Sequence, residues 1–182
     1  MTKKSIYLRN VVAITICLAG LTMFSGCDKD KDPTNPDNPS GGDGTHTTNI
    51  VGVWTFEKGT VKELNFQSGV PQYLQDAIRS ELVEMYDDDF TGMIWDFRSG
   101  GKVILSGADG SDPEEDTYTI NGSILTVTDP DGISSTGQYS ISGNKLYWDI
   151  DVLAITGFDE MIEMLTEVGV TKAIMRLTFN KK

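Results

Sequence analysis

The sequence predicts a mainly β protein: an antiparallel up-and-down barrel of about eight or nine strands with two helical insertions. Three observations carry that expectation. Short runs of alternating apolar and polar residues recur from Ile50 onward, separated by turn residues. Two of these runs are a repeat, Tyr118-Thr-Ile-Asn-Gly-Ser-Ile-Leu-Thr-Val127 and Tyr139-Ser-Ile-Ser-Gly-Asn-Lys-Leu-Tyr-Trp148, offset by 21 residues. Two segments, Pro71 to Tyr86 and Thr156 to Gly169, switch to helical spacing.

The elements follow in order. Ile50-Val-Gly-Val-Trp54-Thr-Phe56 alternates as a first strand, and Thr60 to Phe66 reads as a weaker second one. Leu74, Ala77, Ile78, Leu82, Met85 and Tyr86 form a helical stripe, with Pro71 at its start. Asp87, Asp88 and Asp89 oppose the negative end of a helix, so the helix should stop by then. Met93 to Phe97, a Ser-Gly-Gly turn and Lys102 to Leu105 form a hairpin.

The two repeats are further hairpins, turning at Asn121-Gly122 and Gly143-Asn144. Alternation puts Tyr118, Ile120, Leu125 and Val127 on one face, and Tyr139, Ile141, Leu146 and Trp148 on another. The second helix would be capped at Thr156-Gly-Phe-Asp159. Its stripe is Phe158, Met161, Ile162, Leu165 and Val168, and Gly169 suits its C-terminal left-handed position. Lys172 to Phe179 is the closing strand. Strands joined mostly by short turns favour a closed barrel. Each helix should cover part of the β core, or one should lid a cavity.

The N-terminal region reads as an address. Lys3, Lys4 and Arg9 precede VVAITICLAGLTMF, 14 uncharged residues from 11 to 24. That suits a signal-peptide core, whereas a membrane-spanning helix needs about 20. Ser25, Gly26 and Cys27 follow, and the stretch resembles the lipobox of a bacterial lipoprotein, with Phe24 where leucine is usual. The resemblance implies cleavage before Cys27 and lipid on its thiol. Residues 1–26 are then the signal peptide. Residues 27–49 are the lipidated cysteine and a tether rich in Pro, Gly, Asn and Asp, too polar to fold. Residues 50–182 are the barrel domain. The acidic start of the tether resembles surface-export signals of Bacteroidetes lipoproteins, diluted by Lys29 and Lys31. The expected location is the outer membrane, lipid-anchored, on either its surface or its periplasmic face.

Composition narrows the chemistry. The chain has 15 basic and 27 acidic residues, a net charge of −12. Such a surface repels nucleic-acid phosphates and anionic lipid head groups, so nucleic acid is not an expected partner. The two cysteines are Cys17 in the leader and Cys27, so the body carries no disulfide or thiol chemistry. The single histidine, His46, lies in the tether, so no Ser-His-Asp set or His/Cys metal site is expected, and no cofactor. The acidic loops at Asp109 to Asp116 and Asp129 to Gly132 lack calcium-loop spacing. An enzyme is not expected; a carboxylate-based hydrolase is the remaining catalytic alternative, and nothing singles out its pair.

Gly52-Val53-Trp54 resembles the G-x-W signature of lipocalins. Together with Phe97-Arg-Ser-Gly100, the two repeats and Leu177-Thr-Phe179, it makes residues 50–182 similar to the lipocalin-like domains common in Bacteroidetes lipoproteins. The resemblance implies a noncatalytic barrel that binds a small apolar ligand. The inward aromatics would be Trp54, Phe56, Trp95, Phe97, Tyr118, Tyr139 and Trp148. In lipocalins an arginine of the last strand stacks on the first-strand tryptophan, which makes Arg176 the candidate. Its parity is opposite to Ala173, Met175, Leu177 and Phe179, which instead turns it to water. The alternative class is an accessory lipoprotein whose barrel is filled and which acts through protein contacts. Membrane contact is expected through the N-terminal lipid only.

Overall fold

The structure is a computed structural model and describes residues 49–107 and 113–182. The expected lipidation site Cys27, the expected tether up to residue 48 and the acidic residues Asp109 and Asp112 lie outside the described residues. Eight strands form a closed antiparallel barrel in sequence order. They are β1 (Gly52–Phe66), β2 (Ile94–Arg98), β3 (Lys102–Ser106), β4 (Glu114–Asn121), β5 (Ile124–Thr128), β6 (Ser134–Ser142), β7 (Lys145–Asp151) and β8 (Val170–Lys181). Helix α1 (Gln72–Phe90) joins β1 to β2. A 3-10 turn (Val152–Ala154) and helix α2 (Asp159–Glu167) join β7 to β8.

The count is eight because the two expected first strands are one. Gly52–Phe66 runs unbroken along β8, with register shifts at Phe56/Lys58, Val61/Glu63 and Asn65/Phe66. Each bulge takes up one residue and restores the phase. Trp54, Phe56, Gly59, Val61 and Leu64 therefore stay on the face shared with Phe179, Leu177, Met175 and Ala173. The apparent break at Glu57-Lys58-Gly59 is a bulge rather than a turn.

The repeats fold as two hairpins, β4–β5 and β6–β7. Ser142 pairs with Lys145, so Gly143-Asn144 is the second turn as expected. The first turn is Gly122-Ser123, one residue later than expected, because Asn121 pairs with Ile124. Gly122 and Gly143 have φ of +61° and +59°, the left-handed region that a tight hairpin demands. Leu125, Val127, Tyr139, Leu146 and Trp148 are buried on the inner face. Ile120, at the tip of β4, is exposed instead, because the tight turn leaves it at the rim.

Both helices depart from their expected ends. Helix α1 runs through the three aspartates to Phe90. Asp87 Oδ1 accepts the Gly59 backbone N–H at 2.7 Å, and Phe90 stacks on Tyr86. Tertiary contacts therefore outweigh the unfavourable dipole, which is worth about 0.3–1 kcal/mol per charge. Ile78, Leu82, Met85 and Tyr86 are buried as the stripe expects, while Ala77 is exposed. Helix α2 starts at Asp159, and Thr156 does not cap it. The Thr156 hydroxyl accepts the Ser134 N–H at 2.9 Å and ties the loop to β6. Asp159 and Glu160 favour the positive helix end instead. Gly169 holds φ of +91° just past the helix, as expected.

The strand order gives the barrel two unlike ends. One holds the three tight hairpins, the start of β1 and the end of β8. The other holds the two helices, the β3–β4 and β5–β6 connections and the start of β8. We call them the turn end and the helix end.

Candidate ligand-binding interior

The inner face is built by alternation around a closed sheet. Trp54 pairs with Trp95, and Trp95 with Leu105. Phe56 pairs with Phe179, Leu146 with Phe179, and Trp148 with Leu177. Residues directly opposite in an antiparallel pair share a face, so all of these point inward.

Six rings meet in the middle of the barrel. The Trp95 centroid lies 5.2 Å from Phe179 and 5.9 Å from each of Phe90, Phe97 and Trp148. Phe56 lies 5.6 Å from Phe90 and 5.7 Å from Phe179. Tilted and edge-on geometry at these spacings is the favoured packing of aromatic pairs. Phe97 extends the cluster to Tyr118 at 5.1 Å, edge-on. The Tyr118 hydroxyl donates to the Arg98 carbonyl at 2.9 Å, and so turns toward the turn end. Burial pushes the Tyr118 phenol above its ordinary value, and burial with Tyr118 nearby does the same for Tyr139.

Trp54 stands apart from this cluster. It is fully buried, and its indole N–H donates to the Ile50 carbonyl at 2.8 Å. The Lys181 ammonium lies 5.4 Å from its ring centroid. The cation on the first-strand tryptophan is therefore Lys181, not Arg176. Parity explains the exchange: Lys181 pairs directly with Trp54, continuing the inward series Met175, Leu177 and Phe179. Gly52, with φ of +138°, leaves room for the Lys181 stem; a Cβ there would sit 3.3 Å from Lys181 Cε. Arg176 faces outward. Its guanidinium donates to both Asp149 oxygens, at 2.6 and 2.9 Å, and lies over Tyr147. Burial alone would raise the Asp149 carboxyl, but hydrogen bonds from Arg176 and Lys62 together hold it below its ordinary value.

The three tryptophans differ in their polar edge. Trp54 donates to Ile50, and Trp148 donates to the Leu125 carbonyl at 3.3 Å. Trp95 is 3% exposed, and its indole N–H has no protein acceptor among the described residues. A buried donor left without an acceptor costs about 1–3 kcal/mol. A second polar group faces inward nearby: Asp116 is buried, and it pairs with the inward Val103.

The seven expected aromatics thus divide. Phe56, Trp95, Phe97 and Trp148 come together, and Tyr118 touches them through Phe97. Trp54 is held at the turn end by Ile50 and Lys181. Tyr139 is buried opposite Trp148. Three inward residues escaped the sequence reading as candidates. Phe179 was legible by parity on the closing strand. Phe90 was hidden by the aspartates before it. Asp116 looked like one acid of a solvated loop. Among the described residues, no three His, Cys, Asp or Glu side chains converge to hold a metal ion.

A family model for a lipocalin-like domain matches residues 50–148, from the start of the barrel through most of β7. The chain belongs to the lipocalin-like domain family. Its closed eight-stranded barrel and the Gly52-Val53-Trp54 strand are the lipocalin-like features, and the G-x-W glycine and tryptophan have distinct physical duties here. No curated protein and no solved structure matches the chain. The lipocalin-like match stops short of β8, the strand that supplies Lys181, Phe179 and the seam with β1.

Proposed function

We propose that this is a lipid-anchored, noncatalytic lipocalin-like domain that holds one small, largely apolar ligand carrying a hydrogen-bond acceptor. The observation that carries the reading is Trp95: a buried indole N–H without a protein acceptor among the described residues, set among aromatic faces. An acceptor oxygen on an apolar ligand would satisfy that donor while its body lies on Trp95, Phe97, Trp148, Phe56, Tyr118 and Tyr139, with Trp54 closing the far end. Barrels of about eight strands hold side chains or one small ligand. The anchor is Cys27, supported by the basic start, the 14-residue apolar core and Ser25-Gly26-Cys27. The location is the outer membrane, on its surface or its periplasmic face.

A second reading is favoured by the ring contacts themselves. Trp95 touches four rings, and Phe90 arrives from α1 to complete the set. A barrel filled in this way acts through protein contacts rather than through a ligand.

Titration with a fluorescent fatty-acid analogue separates the two. Ligand binding shifts tryptophan emission, and Trp95→Phe, which keeps a ring but removes the N–H, weakens binding about three- to tenfold. A filled barrel gives no emission change, and Trp95→Ala then costs about 3–5 kcal/mol of stability with no binding to lose. The anchor has its own test. Cys27→Ser moves the protein from the membrane to the soluble fraction, and continued membrane association sinks that part of the reading.

A further inference from the structure

The two ends of the barrel carry opposite charge. The turn-end segments, residues 49–53, 98–102, 121–124, 142–145 and 179–182, hold Arg98, Lys102, Lys145, Lys181 and Lys182 and no acid. The helix end is the reverse. The described parts of its connections, residues 67–93, 129–133 and 152–169, hold twelve acids and a single base, Arg79. A chain of net charge −12 has therefore gathered a basic face at one end only.

Three of the five bases are paired along the barrel wall: Arg98 with Asp96, Lys102 with Glu115, and Lys145 with Glu57. All six side chains are 30% exposed or more. Exposed pairs of this kind are weak, so phosphates can compete for the cations. Apolar groups sit on the same face. Among the described residues three large hydrophobics are exposed, and two of them, Val51 before β1 and Ile120 at the tip of β4, are at the turn end.

The chain toward Cys27 also leaves from this end. Asn49, the first described residue, adjoins the buried Ile50, whose carbonyl holds the Trp54 indole. Twenty-one residues lie between Cys27 and Asn49, a reach of at most about 75 Å of extended chain.

We infer that the turn end is a docking face for a lipid surface carrying anionic head groups. The inference rests on the anchoring of Cys27 proposed above. Its occupant follows from charge complementarity, from the two apolar side chains among the cations, and from the anchored segment that joins the domain at this face. Each basic residue near an anionic surface raises residence there by roughly fivefold. The same geometry turns the acidic helix end away, since like charge repels it from the head groups. The domain then stands on its turn end with the helices toward solvent.

The test uses the full lipidated chain in vesicles of phosphatidylcholine with or without phosphatidylglycerol. A single cysteine is introduced at Ser123, on the turn end, or at Asp131, on the helix end, and labelled with a donor for a lipid-borne acceptor. Energy transfer in anionic vesicles should be much stronger from position 123 than from 131. The excess should vanish in neutral vesicles, in about 0.5 M salt where screening is short-ranged, and in the triple variant R98E/K102E/K182E. Equal transfer from both positions in anionic vesicles overturns the inference. So does a turn-end preference that ignores lipid charge and salt, because the tether alone would produce it. Protein absent from the vesicles altogether is the separate failure of the anchoring reading. Salt-sensitive sedimentation of the unanchored chain with anionic vesicles then still supports the docking face, and its absence overturns it.

Discussion

At the turn end, the chain closes the barrel with its own strands. Ile50 folds under, its carbonyl takes the Trp54 indole, and Lys181 lays its ammonium on the same ring. Every polar group named there has a partner, and the connections are two-residue or three-residue turns. At the helix end, a 27-residue connection carries α1 over the barrel and delivers Phe90 against Phe56 and Trp95. Here a carboxylate is half-buried at the end of α1, and Trp95, the mid-barrel ring that Phe90 meets, has no acceptor for its indole N–H among the described residues. The difference teaches where stability and adaptability reside. Local pairing and short loops make one end rigid. Long connections held by a few side chains can open at modest cost, which under the ligand-binding reading makes this end the entrance.

The comparison breaks first at Trp54. Trp54→Ala removes a fully buried ring, its hydrogen bond and its cation, and should cost about 3–5 kcal/mol in urea unfolding. A loss below about 1 kcal/mol would mean that the turn end is not the rigid one. Phe90→Ala is the matching change at the helix end. Phe90 is half-buried, so the loss should be smaller, about 1–3 kcal/mol. Under the ligand-binding reading it should also speed uptake of the fatty-acid analogue in stopped-flow mixing, whereas Trp54→Ala should not.

A finer test is the charge at the end of α1. Burial, with Asp88 beside it, pushes the Asp89 carboxyl up from its ordinary 3.8 to about 6. A carboxyl raised in the folded state is penalised when ionised. Stability is therefore lost as pH climbs from about 4 to about 6, and the full penalty stands above that. Two units correspond to about 3 kcal/mol, reduced by solvent screening at a half-exposed site to about 1 kcal/mol. Asp89→Asn should stabilise the protein by that amount at about pH 7.5 and by nothing near pH 3. Equal stabilisation at both pH values would show that the carboxylate is not the cause. The smallest effect belongs to the exposed cations of the turn end. Arg98→Ala and Lys102→Ala should leave the urea midpoint unchanged within error, since surface pairs contribute little. A clear loss would make these cations structural and weaken their assignment to a lipid surface.

Much of the fold was legible because period-two alternation survives in the sequence wherever one face of a strand is buried. The hairpin repeats, the G-x-W strand and the closing strand needed no neighbours to be read. Two of the errors share one cause, a distant contact that overrode a local rule. Thr156 looked like a cap and serves β6 instead. The three aspartates looked like a stop, yet Gly59 and the aromatic cluster carry the helix past them. The bulges in β1 imitated a loop because a bulge and a turn use the same small and polar residues.

By itself the sequence determined the barrel class, the strand faces, both helices and the charge imbalance of the chain, since each follows from periodicity or composition over a short window. Only the tertiary structure decided that Lys181 rather than Arg176 meets Trp54, that Phe90 enters the aromatic cluster, that Trp95 alone of the three indoles lacks an acceptor among the described residues, and that five basic residues far apart in sequence gather at one end. These are properties of closure. When β8 seals against β1, it fixes register across more than 100 residues, and no local window contains that information.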